Sequence, residues 1–244
     1  MPANRPPTLR SEGSHDRSQV GMVELFFDLV FVFAITQLSH GLLEQLTPQG
    51  VLHTGILFIG AWWLWIYTTW CTNWLNPAST SVRQLLFVLM LLALVMAAAL
   101  PRAFADRGLV FALAYVAQHL LRSAYMVHAF GAGSAHGRNF IRIFAWLAVS
   151  GTCWVLGGLA DPQARAFWWT AAIAIEFIGP FAYYRVPGMG ASMTTDWDVD
   201  PHHLAVRGGL FVVIALGESL LLTGASFAGL AWETPHLLAF LAAF

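Results

Sequence analysis

Glu24, Asp28, Thr36 and His40 follow one another through an otherwise apolar stretch, and Arg122, Glu176, Arg207 and Glu218 stand in similar surroundings. Acids, an imidazole and guanidinium groups in such places can pass protons, hold small cations or neutralise one another. Four-residue steps drift only about 40° around a helix of about 3.6 residues per turn. Glu24, Asp28, Thr36 and His40 therefore form one slanting polar stripe, with Ser39 beside it, while Phe26, Phe27, Val30 and Phe33 mostly face elsewhere.

A second group of candidates lies in Thr194–His203, where Asp196, Asp198 and Asp200 alternate ahead of His202 and His203. The alternation is similar to the start of a calcium loop. Pro201 then takes the place of the required glycine, and Arg207 stands where a bidentate Glu belongs. Two readings follow. Asp196, Asp198 and His202 or His203 could bind a cation, or Asp200 before Pro201 caps the next helix. His119 and His128 read as hydrogen-bonded core, and His15, His53, His136 and His236 fall in tails or loops. Trp62, Trp63, Trp65, Trp70 and Trp74 crowd one helix, and Trp168 and Trp169 another. Interfacial anchoring and packing account for them first; an aromatic cage for a cation is the alternative. Cys71 and Cys153 have no CxxC or Cys/His spacing, which excludes a disulfide scaffold and a zinc finger. No metal or cofactor is expected.

The elements that carry these residues belong in a bilayer. Of 244 residues, 58% are hydrophobic and 10% charged, against about 25% charged in soluble domains. So few charges cannot cover a water-facing surface, and a net charge of −1 offers a polyanion no field. A soluble enzyme and a nucleic-acid binder are both disfavoured. Spans are predicted over Val23–Leu43, Val51–Trp70, Arg83–Leu100, Leu109–Phe130, Phe140–Leu159, Arg165–Tyr184 and Leu204–Ala225, each near the roughly 20 residues a bilayer needs. Breakers separate them: Thr47–Gly50, Asn76-Pro77, Pro101, Gly131–Gly137, Asp161-Pro162 and Pro187-Gly188. The expected fold is all-α, a polytopic transmembrane bundle of about seven complete spans and a partial eighth from His236 to Phe244. That half-span suggests a fragment of a longer chain. Residues 1–22 are expected to form a disordered cytoplasmic tail, and 23–244 the transmembrane domain.

Every cation except the histidines is Arg. With the N-terminus inside, Arg5, Arg10, Arg17, Arg83, Arg138, Arg142, Arg185 and Arg207 lie on the inner side, and Arg102, Arg107 and Arg165 on the outer. The positive-inside rule favours that orientation. Helical rise then puts Asp28 about 7 Å, and Arg122 and Glu176 about 12 Å, from the cytoplasmic edge. An Asp28–Arg122–Glu176 network is predicted there, with His40 and Glu218 meeting in the outer half and Arg207 away from Glu218. Such groups can be register-fixing ion pairs, an ion or proton path, or an intramembrane active site. The leading expectation is conduction of a proton or small cation without enzymatic activity. The alternatives are a metal- or carboxylate-dependent enzyme acting on lipid, and a non-transporting scaffold or sensor. The lipid bilayer and a cation or proton are the expected partners, nucleic acid is not, and a homo-oligomer is compatible.

Val23–Ala34, reading VELFFDLVFVFA, resembles the N-terminal signature of the bacterial low temperature requirement protein A family. So do Asp196–Ala205 (DWDVDPHHLA) with Arg207, then Gly209-Leu210-Phe211 and Leu216–Ser219 (LGES). Trp70 to Pro77 and Arg83 match in style, and the likeness runs from Val23 to Leu222. It implies a bacterial multi-pass inner-membrane protein, connected by name with growth in the cold. Two positions depart: Val206 stands where an acid commonly precedes the Arg, and Asn76 where Asp is usual. Phe26-Phe27-Asp28 is also similar to the Phe-Ser-Asp helix of endolysosomal-type potassium channels, which have two six-helix repeats. That likeness would make this chain a first repeat and the start of a second.

Overall fold

The computed structural model describes residues 7–10, 20–229 and 233–243. Its helices are α1 (Met22–Glu44), α2 (Pro48–Trp74), α3 (Thr80–Ala99), α4 (Gly108–Phe130), α5 (Ala135–Leu159), α6 (Pro162–Phe181), α7 (Pro201–Ala228) and α8 (Thr234–Ala243). Among the described residues there is no β-strand, only the isolated bridges Leu9–Leu75 and Val186–Gly190.

Several of the breakers seen in the sequence contain the helix caps. Thr47 Oγ1 accepts from the Gly50 amide at 3.1 Å, and Ser134 Oγ from Gly137 at 2.9 Å. Asp161 accepts from Gln163 and Ala164 at 3.0 and 3.1 Å, and Asp200 from His202 and His203 at 2.9 and 3.4 Å. Pro48, Pro162 and Pro201 each open a helix, where a missing amide proton costs nothing. The two amides hold the exposed Asp161 carboxyl below the usual aspartate range.

Short links make successive helices antiparallel. The rings of Trp74, Phe130, Phe140 and Trp197 meet at one end of the bundle, joining the C-termini of α2 and α4 to the N-terminus of α5 and the lead-in to α7. At the opposite end His53 stacks on Phe104 at 3.6 Å. There Arg165 donates to the carbonyls of Ala103, Ala105, Gly157 and Ala160. Helix α2 runs through the middle against α1, α4, α6 and α7. Helix α3 joins α1 to α4, α5 packs between α4 and α6, and α7 rests on α1 and α2.

Helices α1, α2, α3 continuing to Arg102, α5 and α7 are long and apolar enough to cross a membrane. Gln118, His119, Arg122 and Ser123 dilute the apolar content of α4, and Gln163, Arg165 and Glu176 that of α6. The outer surface suits a hydrocarbon solvent: Phe87 and Leu91 on α3, Val149 on α5 and Val213 and Leu221 on α7 are all exposed. Helix α8 packs on α7, with Phe227 stacked on Phe240 at 4.5 Å. It covers most of the stretch read as a partial eighth span; Phe244 lies outside the described residues.

The tail expected to be free is described only at 7–10 and 20–22, and Arg5, His15 and Arg17 lie outside. At 7–10 it is docked. The Arg10 amide donates to the Trp74 carbonyl and the Asn76 amide to the Thr8 carbonyl, both at 2.8 Å. The reason is chemical, because the end of α2 leaves carbonyls without intrahelical donors and Arg10 supplies them.

Candidate functional site

Asp28 is six residues into α1 and Arg207 six residues into α7, about 9 Å along each axis. Both helices start at the same end of the bundle and touch, so the two side chains meet. Arg207 Nη2 donates to Asp28 Oδ1 at 2.8 Å and Nε to Oδ2 at 3.1 Å, a bidentate fork. Trp65 Nε1 adds a third donor to Asp28 at 2.8 Å. The guanidinium also bonds Thr72 Oγ1 and lies 3.4 Å from Glu24 Oε1. One helical turn away, Glu24 Oε2 accepts from Arg10 Nη2 at 2.9 Å and from the Gly21 amide at 2.7 Å. His203 Nε2 lies 3.3 Å from Glu24 Oε1. Asn73 Nδ2 lies 3.3 Å from His203 Nδ1, and Arg10 Nη2 3.3 Å from its Nε2. Glu24, Asp28, His203 and Arg207 are wholly buried and Arg10 nearly so. Two acids and two guanidiniums balance, which is the condition for burying charge.

Arg10 also donates through Nε to the Thr72 and Leu75 carbonyls, at 3.1 and 2.9 Å, and so closes the C-terminus of α2. Asn73 clamps the next element, accepting from the Asp200 amide at 2.8 Å and donating to its carbonyl at 2.9 Å. Trp74 Nε1 donates to the Asp198 carbonyl at 2.7 Å. The Asp196–His203 motif is thus a strap that fixes the entry of α7 and delivers His203 and Arg207 to the acids.

A second polar centre lies deeper. Glu176 of α6 accepts from Tyr115 Oη at 2.7 Å, from Trp154 Nε1 at 2.9 Å and from Ser150 Oγ. Among the described residues no Arg or His pairs with it. Tyr115, His119 and Arg122 share one face of α4 at i, i+4 and i+7, and the rings of Tyr115 and His119 are 4.6 Å apart. Arg122 donates to Thr68 Oγ1 at 3.0 Å and to His119 Nδ1 at 2.7 Å, and its guanidinium covers the Tyr67 ring at 5.1 Å. Arg122 Nε and His119 Nε2 are buried with no hydrogen-bond partner.

The expected Asp28–Arg122–Glu176 triad does not form. Helix α2 stands between α1 and α4, so Asp28 takes Arg207 and Arg122 takes α2 hydroxyl and carbonyl groups. His40 is exposed and Glu218 half-buried, without the contact expected between them. Thr36, on the polar stripe, is buried and bonds back to the Val32 carbonyl at 3.2 Å. The expected cation loop does not converge either. Asp196 bonds the Met193 amide and Asn139, which hold its carboxyl below the usual aspartate range. Asp198 and His202 are exposed, and His203 turns inward to Glu24. Among the described residues no group of three or more His, Cys, Asp or Glu is arranged to hold a metal. Sequence reasoning overlooked Arg10, Thr72, Asn73, Tyr115, Ser150 and Trp154. The spacings Tyr115–His119–Arg122 and Ser150–Trp154 were signals that could have found three of them.

Comparison with known proteins identifies the family. The family model for the bacterial low temperature requirement A protein (LtrA) matches residues 19–244, which include both acids of α1 and the α7 strap. A protein of Rhizobium meliloti (strain 1021), named only as uncharacterized, is 45% identical over 98% of this chain. The chain spans 59% of that relative's length. No solved structure matches. With its membrane-crossing helices and the α1 and α7 motifs joined in one buried cluster, the chain belongs to the bacterial low temperature requirement A family.

Proposed function

We propose that this chain moves protons, or a small cation that replaces them, across the bacterial inner membrane, with Glu176 as the exchangeable acid. The observation that carries the reading is the company Glu176 keeps: a buried carboxylate held by two hydroxyls and an indole, all neutral. Such a carboxyl can gain or lose a proton without stranding a fixed countercharge. Asp28 and Glu24 cannot, since protonating either leaves a buried arginine short of an acid. They hold the helices while Glu176 exchanges, and Arg122 with His119 supplies a polar neighbour across the Tyr115 ring. In this reading seven helices span the bilayer, including α4 and α6, whose Gln118, His119, Arg122 and Glu176 are buried inside the bundle, and the N-terminus is cytoplasmic. No catalytic step and no metal is assigned.

The test is proton flux in liposomes containing the folded full-length protein, driven by a potassium diffusion potential and read with an internal pH dye. Uptake several-fold above empty vesicles is expected, with Glu176→Gln abolishing it and Asp28→Asn lowering protein yield instead. A second reading, a non-transporting scaffold, is favoured by the complete pairing of Arg10, Glu24, Asp28 and Arg207. Vesicles with correctly folded protein and no flux of protons or alkali cations would establish the scaffold and remove transport.

A further inference from the structure

A cavity of about 270 Å³ lies beside these centres, between α2, the first half of α5 and the end of α6, and is covered by the segment that leads to α7. Eight of its thirteen lining residues are aromatic. Trp63, Tyr67, Trp70, Tyr183, Tyr184 and Trp197 are among them, and no side chain of formal charge lines it. Some polar atoms of the lining residues are engaged with one another or elsewhere, whereas Trp63 Nε1 is buried with no hydrogen-bond partner. The hydroxyls of Tyr67 and Tyr184 bond each other at 2.6 Å, Ser192 Oγ donates to Asn139, and Trp74 Nε1 donates to the Asp198 carbonyl. An anion would meet no positively charged lining side chain, only indole and phenol donors. Tyr183 and Tyr184 hold φ at 50° and 47°, a left-handed backbone that non-glycine residues seldom adopt, and both rings reach the cavity. Sparsely populated backbone of this kind gathers at ligand clamps.

From this wall we infer that the cavity is an aromatic cage for an organic cation of the quaternary ammonium class. Ring quadrupoles attract a cation that carries no N–H to be satisfied, and several faces around one space multiply the effect. The inference stands apart from proton transport through Glu176, and either can fail without the other. The cation could arrive as a small soluble molecule or as the headgroup of a choline lipid.

Calorimetric titration of the full chain in a non-ionic detergent would use choline and its uncharged isostere 3,3-dimethylbutan-1-ol. Choline is expected to bind at one site, about tenfold more tightly than the isostere. Trp70 sits at the rim, 43% exposed, so Trp70→Leu removes a ring and keeps apolar bulk without endangering the fold. That variant should weaken choline binding about fivefold and leave the isostere unchanged. Equal affinity for the two probes, or no binding of choline, overturns the cage. In nanodiscs, loss of choline binding in phosphatidylcholine but not phosphatidylglycerol identifies the lipid headgroup as the source. Binding kept in both identifies the free cation.

Discussion

Asp28 and Arg207 decide how the buried charges share out. Their fork is bidentate and dry, so removing one partner leaves the other unpaired, at a cost of about 3–5 kcal/mol. Asp28→Asn and Arg207→Met should each lower stability by that amount in chemical denaturation of the detergent-solubilised protein. The double variant should lose less than the sum of the two, because Glu24 keeps Arg10 and His203. Additive losses would show that the fork carries no coupling. The sequence revealed that Asp28 and Arg207 are buried but not that they meet. Depth along a helix axis follows from counting residues, whereas the neighbour of each helix depends on three-dimensional packing that hydropathy does not encode. The predicted seventh span opens at Leu204, whereas the helix begins at Pro201, and that nearly complete turn sets Arg207 about 4.5 Å deeper. Arg10 was hidden for a different reason. It sits in a polar stretch whose one large apolar neighbour is Leu9, and the open carbonyls of α2 together with Glu24 give it a place.

At the level of elements, helix starts and stops were legible to within about five residues, because Thr47, Ser134, Asp161 and Asp200 act through local hydrogen bonds. How closely the helices approach was not. Helices α4 and α5 come together where Gly158 faces backbone: an added Cβ would stand 2.9 Å from Leu109 Cα and 3.1 Å from the Gly108 carbonyl oxygen. Small residues let backbones pack closely in a membrane. Gly158→Ala should therefore destabilise by about 1–3 kcal/mol, seen as a lower thermal midpoint by circular dichroism in detergent. Gly41→Ala is the control. Nothing lies within 4 Å of its added Cβ, and alanine favours helix over glycine. A fall as large in the control would mean that loss of glycine itself, rather than contact, sets the effect.

For the whole molecule, the bundle has two unlike ends. One holds Arg10, Glu24, Asp28, His203 and Arg207; the other holds the Arg165 carbonyl cap and the exposed Arg102–Asp106 pair. A cytoplasmic N-terminus places the charged cluster toward the cell interior. Asp106→Cys should then react with a membrane-impermeant maleimide on intact cells, and Gly133→Cys only after permeabilisation. The reverse labelling would invert the topology. The fork between α1 and α7 has a further consequence during synthesis, since its partners are 179 residues apart in the chain. The ribosome releases the first helix long before it reaches the arginine that completes it. Until then Asp28 has the indole of Trp65 within reach and no guanidinium of its own, so a chain halted before Arg207 should carry an uncompensated acid in its first helix.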